Sequence, residues 1–465
     1  MKPLNQSKPN VIFVFADQWR YQATGFAGDP NVQTPNLDKL AASSLNFTNA
    51  ISGMPVCCPA RSSLLMGQYP GRHGVFMNDV SVHDNRTIGS NQGGPNQGTV
   101  SLAEAFADAG YDTAYVGKWH VDGHGRSNYI PRKRRLGFDF WMALECTHNY
   151  NDSRYYAGDD DTQLVWNGYD AECQTRVVQQ YIREHSQGNP YLMLLSWGPP
   201  HAPYDTAPER YQAMFNPDEL TLHPNVPPEA EEKARRDLAG YYAHIVALDD
   251  LLGELLQTIE ESGQADNTLF VFWSDHGDML GSHGNIKKQQ PWEESLHVPL
   301  LMRCPALFGE EGQTVDGIIN TPDLMPTLLG LCDIDVPASV QGIDYAPYLQ
   351  GSTTAPADAV LISCFQPFGQ WSRAVGGREY RGVRTERYTY ARGLDGPWLL
   401  YDNQTDPYQL ENRINEPAMG DVQAMLDTKL NELLATYDDE LLPGEVYLER
   451  WGYEVDETGT VPYTW

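Results

Sequence analysis

The sequence predicts an α/β fold, in which helices sandwich a large mixed, mostly parallel sheet and a smaller C-terminal α+β domain follows. Short apolar, β-branched and aromatic runs alternate with helical patterns, as is typical of parallel strands that are buried on both faces. The 465 residues exceed the size at which one hydrophobic core usually stops growing, which favours a second domain. Near residue 345 the alternating pattern gives way to segments rich in Gly, Pro and Thr.

Four runs are predicted to be strands, and polar residues follow each of them closely: Val11–Phe15, Thr113–Val116, Tyr191–Leu195 and Leu269–Trp273. Asn36 is predicted to cap a helix that runs through Leu40, and Ser101 is predicted to cap another through Phe106. The strongest helical periodicity spans residues 231–262, where the apolar stripe is typical of core packing.

We expect residues 1–345 to form the large domain and residues 346–465 to form a small domain that completes the substrate cleft. The small domain is predicted to contain an antiparallel sheet, with the run Tyr388–Tyr390 in one strand, and a late helix that includes Leu426 and Leu434. No repeat of 20–50 residues is evident, which excludes a solenoid.

The formal net charge of -30 repels phosphate groups, and this argues against a nucleic-acid partner or an anionic membrane surface. No apolar run approaches the roughly 18 residues that a membrane span requires. An anionic substrate must therefore be attracted by a local basic pocket. The basic run Arg132–Arg135 either attracts an anionic polymer or is an exposed face that pairs with nearby carboxylates.

The seven cysteines are scattered, and their odd number argues against a complete disulfide framework. Met1–Gln6 contains no apolar signal region. We therefore expect a cytoplasmic protein if the sequence is complete, and a periplasmic or secreted protein if an export signal has been removed. The sequence does not indicate an oligomeric state.

Ligands bind open α/β sheets beyond the carboxyl ends of the parallel strands. Applied to the four predicted strands, this rule places the following polar residues at one edge: Asp17, Gln18, Lys118, His120, His201, Asp275 and His276. Oxygen ligands together with a histidine suit a divalent cation, and flanking cationic side chains suit an oxyanion.

Cys57 is predicted to lie at the start of a helix, because Pro59 is expected to occupy its first helical position. The free N–H groups and the dipole at a helix start favour a thiolate or a bound oxyanion. Arg61 adds a fixed positive charge one turn further on.

The segment Cys57-x-Pro59-x-Arg61, followed by Leu64–Gly67, resembles the signature of formylglycine-dependent sulfatases, a family within the alkaline-phosphatase-like superfamily. Further segments resemble the remaining site motifs of that family, in the same order: Phe15–Gln18, Gly117–His120, Pro200–Pro203, Ser274–Gly277 and Lys288 before Trp292–Ser295. The likeness runs from residue 9 to 345, with weaker matches at Gly382–Thr385 and Tyr401–Asp402. Three residues depart from the common pattern: Gln18 and Met66, where an aspartate and a threonine are common, and His276, where an asparagine is.

The resemblance implies a sulfuric ester hydrolase that acts on a sulfated carbohydrate. It implies that a maturation enzyme oxidises Cys57 to formylglycine. It also implies one divalent metal, Ca²⁺ in the first place with Mg²⁺ as the alternative, held by residue 57 together with Asp17, Gln18, Asp275 and His276.

The resemblance also implies a role for each remaining residue. One hydroxyl of the hydrated formylglycine attacks sulfur while Asp275 accepts its proton, and Lys118, Lys288 and Arg61 share the charge of the sulfuryl oxygens. His201 donates a proton to the leaving group, and His120 removes one from the second hydroxyl to expel sulfate.

Residues 120–170 are dense in histidine, arginine and aromatic side chains, a composition typical of a sugar-binding wall. From this stretch His124, Arg126, His148 and Arg154 are predicted to contact the substrate. His148, His223 and His283 are expected to form hydrogen bonds or surface contacts rather than to bind metal.

Two other functions remain open. A phosphonate monoester or phosphodiester hydrolase shares the formylglycine signature and the Asp-Gln and Asp-His metal pairs. A non-catalytic protein that binds sulfated glycans, in which Cys57 is never oxidised, is the alternative from a different class.

Overall fold

A computed structural model of the protein describes residues 8–91 and 98–464, so Met1–Gln6 lie outside the described residues. The strands are β1 Asn10–Asp17, β2 Leu45–Phe47, β3 Ala50–Ile51, β4 Asp112–Lys118, β5 Phe140–Leu144, β6 Arg154–Ala157, β7 Leu164–Val165, β8 Tyr191–Pro200, β9 Thr268–Ser274, β10 Leu300–Arg303, β11 Gln313–Val315, β12 Ile319–Asn320, β13 Ala359–Cys364, β14 Tyr380–Thr385, β15 Tyr388–Gly393 and β16 Gly396–Asp402. The helices are α1 Pro35–Ala41, α2 Cys57–Met66, α3 Pro70–His73, α4 Val82–Asn91, α5 Leu102–Asp108, α6 Asp170–Glu184, α7 Glu209–Gln212, α8 Glu231–Glu261, α9 Glu293–Leu296, α10 Pro305–Phe308, α11 Leu324–Leu331, α12 Ala346–Leu349, α13 Gly420–Tyr437 and α14 Gly444–Trp451.

Ten strands form the large sheet, in the order β11-β2-β10-β9-β1-β8-β4-β5-β6-β7. The four strands predicted from the sequence are β1, β4, β8 and β9, and they lie together near its centre as parallel neighbours. Only β10 and β6 run against the other strands of this sheet. The prediction of a mixed, mostly parallel sheet is confirmed.

Helices cover both faces of the sheet because successive side chains of a strand point to opposite sides. Val11, Phe13 and Phe15 of β1 belong to a core that includes α2, α5 and α11. Ile12 and Val14 belong to a second core, which is built with α1, α6 and α8. The apolar stripe of the predicted helix at 231–262 lies in this second core, as expected.

The C-terminal region contains a separate antiparallel sheet, in the order β13-β14-β15-β16. One face packs against α13 through a core that includes Leu426, Leu430 and Leu434. The other face packs against Ile51 and Leu296, which belong to the preceding part of the chain. The predicted antiparallel sheet and late helix are therefore both present.

Two predicted helix starts are wrong in detail. Helix α1 begins at Pro35 with Thr34 as its N-cap, so Asn36 lies inside the first turn, where its side-chain amide binds Asp249. Helix α2 begins at Cys57 itself, which makes Pro59 its third residue rather than its first. The predicted cap at Ser101 is confirmed, because its hydroxyl accepts the Glu104 N–H in a capping box.

Carboxylates accompany three of the four residues in the basic run Arg132–Arg135. Arg132 and Arg135 pair with Asp159, and Arg134 pairs with Asp122. Of the two interpretations of this run, the structure favours the one in which the face is paired with carboxylates.

All seven cysteines have free thiols. Among the described residues, no helix is both long and apolar enough to cross a lipid bilayer.

Candidate active site

The predicted site residues meet at one edge of the large sheet. Asp17 ends β1, Lys118 ends β4, His201 follows β8 directly and Asp275 follows β9 directly. Cys57 reaches the same edge from the first residue of α2. The structure therefore brings these residues together at the edge that the rule for ligands of parallel sheets indicates.

Four side chains form a compact, fully buried cluster: Asp17, Cys57, Asp275 and His276, whose potential ligand atoms all lie within 4.8 Å of one another. The thiol sulfur of Cys57 lies 3.2 Å from His276 Nε2 and 3.7 Å from Asp17 Oδ1. His276 Nδ1 donates to the Gly277 carbonyl at 2.9 Å, which leaves the Nε2 lone pair directed into the cluster. This donor set fits a divalent cation.

The electrostatics of the cluster support that fit. Burial raises the pKa of Asp275 because the ionised carboxylate would lose its contact with water, and the negative charge of the neighbouring Asp17 raises it further. Burial would also raise the pKa of Asp17, but the interactions with Lys118, His201 and Arg61 hold it well below the usual range. A divalent cation would relieve the repulsion between the two carboxylates.

Arg61 fixes the carboxylates of Asp17 and Asp275 by hydrogen bonds. Its Nε donates to Asp275 Oδ2 at 2.9 Å, and one terminal nitrogen donates to Asp17 Oδ2 at 3.0 Å. The other terminal nitrogen donates to the Lys118 carbonyl and to the Ser196 hydroxyl. Four of the five N–H donors of this guanidinium are therefore used within the protein.

A second group of side chains surrounds Lys288. Its ammonium donates to Gln18 Oε1 and to His201 Nε2, both at 2.8 Å. His201 Nδ1 donates to the Ala202 carbonyl at 2.7 Å, so its Nε2 carries the lone pair that Lys288 contacts. Burial and the adjacent ammonium lower the pKa of His201. The Gln18 side chain is further oriented by Asp278, which accepts its Nε2–H at 2.6 Å.

His120 follows β4 two residues after Lys118 and is not one of the four cluster residues. Its Nε2 is 3.7 Å from Asp79 Oδ1, and within the described ranges neither of its buried ring nitrogens has a hydrogen-bond partner. Arg126 fixes Asp79 by two hydrogen bonds of 2.8 Å each. The ring of His120 is therefore positioned by burial and by the charge of Asp79, and the thiols of Cys58 and Cys146 also lie close enough to interact with it.

The backbone is unusual where these side chains emerge. Gln18 and His120 have φ angles of 74° and 56°, in the left-handed region that non-glycine residues rarely adopt. Such strained positions cluster at functional sites, because the surrounding structure must hold them in place. Gly117 precedes Lys118 with φ 107°, and a Cβ there would lie 2.0 Å from the Ser196 carbonyl oxygen. A glycine is therefore required where β4 delivers its lysine.

The four predicted substrate contacts lie in different surroundings. His148 stacks on His201 with ring centroids 4.8 Å apart, and Arg154 lines a small cavity together with Lys118. His124 is held between Asp84 and the Asp122 carbonyl. Arg126 is buried and forms an ion pair with Asp79, so the charge of its guanidinium is already neutralised. His148, which was expected to form hydrogen bonds or surface contacts rather than to bind metal, lies outside the cluster of Asp17, Cys57, Asp275 and His276.

The other two histidines that were expected to avoid metal also lie outside the cluster. His223 pairs with Glu294 at 3.3 Å, and His283 stacks on Trp292 with ring centroids 4.9 Å apart.

Sequence reasoning missed three residues of the site: Asp79, Asp278 and Ser196. Asp278 follows the Asp-His pair by only a few residues, so the density of polar residues after β9 could have revealed it. Asp79 lies in an irregular segment with φ 63°, and no local pattern marks it. Ser196 lies inside an apolar strand, where a small hydroxyl is usually just part of the core.

Comparison with known proteins identifies the family. Residues 9–334 match the Sulfatase family, and residues 281–436 match the family described as N-sulphoglucosamine sulphohydrolase, C-terminal. This chain belongs to the sulfatase family. The predictions of a sulfuric ester hydrolase and of the alkaline-phosphatase-like fold are thereby confirmed.

Individual sulfatases resemble the chain over nearly its whole length. It is 40% identical to an ulvan-active sulfatase of Formosa agariphila, over 96% of this chain and 85% of the relative. It is 29% identical to an endo-4-O-sulfatase of Bacteroides thetaiotaomicron, over 96% of this chain and 95% of that protein. The solved structure of the sulfatase yidJ from Bacteroides fragilis superposes with a TM-score of 0.82 at 28% identity and covers 96% of this chain and 99% of the other.

Proposed function

We propose that this sulfatase removes sulfate from a sulfated carbohydrate, through a formylglycine nucleophile formed from Cys57 and with one divalent metal ion. The observation that carries the proposal is the place of Cys57, at the start of α2 and 3.2 Å from His276 within the four-residue cluster. The 40% identity to an ulvan-active sulfatase supports a polysaccharide-derived substrate.

The nucleophile would be the hydrated aldehyde at position 57. One hydroxyl attacks sulfur, and the bond from sulfur to the sugar oxygen breaks. The second hydroxyl then loses its proton, the bond from carbon to the sulfate oxygen breaks, and the aldehyde is restored as sulfate departs. A serine or threonine side chain has no second hydroxyl with which to complete this cycle. A maturation enzyme that recognises the segment Cys57–Arg61 would produce the aldehyde.

Asp17, Gln18, Asp275, His276 and residue 57 would hold the metal. Oxygen-rich sites accept Ca²⁺ or Mg²⁺, and Ca²⁺ suits a larger and less regular set of ligands. When bound, the cation supplies Lewis-acid polarisation and neutralises negative charge at the reacting centre. Gln18 contributes a neutral oxygen, so the protein ligands carry one negative charge fewer than a set with two leading aspartates would.

The cationic side chains divide into two groups. Lys118 and Lys288 contact neighbouring residues of the site: Lys118 donates to Asp17 at 2.7 Å, and Lys288 donates to Gln18 at 2.8 Å. Both ammonium groups retain further donors for the sulfuryl oxygens. Arg61 acts instead as a positioning residue, because its donors are used to fix Asp17 and Asp275.

Two histidines would move protons. Lys288 donates a hydrogen bond to His201 Nε2 at 2.8 Å, and through this contact His201 would protonate the departing sugar oxygen. His120 would accept the proton that leaves the second hydroxyl. Asp79, at 3.7 Å, would stabilise the imidazolium that results.

The proposal is tested with protein co-expressed with a formylglycine-generating enzyme and loaded with Ca²⁺. Peptide mass spectrometry locates the aldehyde, and sulfate release is measured from ulvan oligosaccharides, glycosaminoglycan fragments and an aryl sulfate. Cys57→Ala should abolish turnover, whereas the matched variant Cys58→Ala leaves the signature spacing intact and should remain active. Sulfate release by Cys57→Ala would refute the assigned nucleophile.

The same preparation separates the alternatives. Faster turnover of a phenyl phosphonate ester than of every sulfate ester would favour the phosphonate hydrolase. A retained thiol at Cys57 together with binding of sulfated glycans without turnover would favour the non-catalytic binding protein.

A further inference from the structure

The last described part of the chain, residues 453–464, forms neither helix nor strand, yet it is fixed at three points. Near its start, Tyr453 OH donates to the Gly74 carbonyl at 2.8 Å. In the middle, the Thr458 carbonyl accepts the Gly369 N–H at 3.1 Å. At its end, the Thr464 carbonyl accepts the Arg126 N–H at 2.8 Å. We call residues 453–464 the tail segment.

The middle of the tail segment adjoins the part of the chain that holds Lys288. Gly369 lies between Phe368 and Gln370. The Phe368 carbonyl accepts a hydrogen bond from Gln289 at 2.8 Å, and Gln370 donates to the Lys288 carbonyl at 3.3 Å. The same short stretch that anchors the tail segment therefore also braces the backbone at Lys288.

The end of the tail segment adjoins the residues that hold Asp79 beside His120. The ring of Tyr463 lies against the Arg126 guanidinium, whose central carbon is 3.4 Å from the ring centroid. Arg126 holds Asp79, which faces His120. The Arg126 carbonyl also accepts the Cys146 N–H at 3.0 Å, just before His148 in the chain. The tail segment thus connects the side of the site that carries Lys288 with the side that carries His120.

We propose that the tail segment forms one wall of the substrate cleft, and that Tyr463 provides an aromatic platform for the sugar ring that carries the sulfate. This inference rests on the proposed function. Arg126 was expected from the sequence to contact substrate, but Asp79 neutralises its guanidinium. Tyr463 covers that pair and remains 40% exposed, so it offers an apolar surface with a hydroxyl at its edge.

The chemistry of this surface matches a pyranose ring better than a second sulfate group. Aromatic rings pack against the C–H faces of sugars. The Arg126 guanidinium supports the ring of Tyr463 and, because it is already paired with Asp79, does not attract another anion. A ring at this position would help to hold the sugar while Lys118 and Lys288 contact the sulfate. Tyr463 is thereby assigned a role in substrate specificity.

The test compares Tyr463→Ala and Tyr463→Phe with the mature wild-type enzyme, using a sulfated disaccharide from ulvan and an aryl sulfate. Tyr463→Ala should raise KM for the disaccharide by about tenfold, the size expected for one lost aromatic contact, with a smaller change in kcat. Tyr463→Phe retains the ring and should restore most of that loss. Tyr408→Ala removes another exposed tyrosine, 37% exposed and outside the site, and serves as the control.

Each outcome supports or overturns a stated claim. A tenfold fall in the ratio of kcat/KM for the disaccharide to kcat/KM for the aryl sulfate supports the platform. An equal loss on both substrates would show that Tyr463 acts through Arg126 and His120, and would overturn it, as would an unchanged KM. If the wild type releases no sulfate from any saccharide, the proposed function fails instead. Unfolding temperatures of all variants show whether a loss arises from misfolding.

Discussion

Replacing Arg61 by methionine tests whether this side chain stabilises the buried carboxylates. Methionine keeps an unbranched stem that can pack on Phe15, above whose ring the guanidinium lies at 5.0 Å. The substitution removes the partner of Asp17 and of Asp275, and both carboxylates have no solvent exposure. The metal-free protein would then bury both carboxylates without their guanidinium partner, with Lys118 and His276 as the nearby groups that still favour their charged forms.

The expected cost follows from the burial of these charges. Removing one partner from a buried ion pair typically destabilises a protein by about 3–5 kcal/mol, because the remaining charge is left without compensation. Unfolding entropy of about 2.1 cal/mol/K per residue makes each kcal/mol worth about 1 °C in a chain of 465 residues. The unfolding temperature of the Arg61→Met variant should therefore fall by about 3–5 °C in excess chelator.

Added Ca²⁺ should recover more stability in the variant than in the wild type, since the cation takes over the missing positive charge. Scanning calorimetry with chelator and with excess Ca²⁺ measures both effects. Arg135→Met is the matched control: Arg135 is also buried and also stacks on an aromatic ring, but its partner Asp159 is half exposed. The reasoning is refuted if Arg61→Met costs no more than Arg135→Met, or if Ca²⁺ stabilises the Arg61→Met variant less than the wild type.

Three further predictions follow from single contacts. Lys288→Met should lower kcat/KM for sulfate esters by about 100-fold or more, whereas Lys287→Met should change it less than about twofold. Gly117→Ala should cost more than about 2 kcal/mol in urea unfolding, whereas Gly110→Ala, with no atom within 4 Å of the added carbon, should cost only its backbone strain. Burial raises the pKa of Asp170 to about 7 from an unfolded value of 3.8, so the folded protein loses stability as pH rises between these values. Asp170→Asn removes this loss, and its unfolding free energy relative to wild type should therefore be higher at pH 8 than at pH 5. An equal difference between variant and wild type at both pH values would contradict this.

The central part of the fold could be predicted because local and global signals agree there. Strands β1, β4, β8 and β9 are apolar on both faces and have polar residues at or directly after their ends, which is the pattern of buried parallel strands. The outer strands β6, β7 and β11 have two to four residues each. Their pairing depends on neighbours that are distant in the sequence, so no short-range pattern identifies them.

The site could be predicted where residues stand at strand ends, and it could not where they stand in irregular segments. Asp17, Lys118 and Asp275 were found because each directly ends or follows a strand, and the geometry of the sheet then collects them. Asp79 reaches His120 through a segment without regular structure, and the tail segment reaches Arg126 from more than 300 residues away. Contacts of that kind depend on tertiary packing alone.

The charge distribution explains why the walls of the cleft matter for recognition. The chain carries a net charge of -30, and carboxylates already accompany most of the run Arg132–Arg135, so this run offers little positive charge to attract an anionic substrate. The cations of the site act instead over a few ångströms, where burial strengthens them and where they compete directly for the sulfate. They contact every sulfate ester alike. Discrimination between sugars must therefore come from surfaces beyond the sulfate, such as the tail segment with Tyr463.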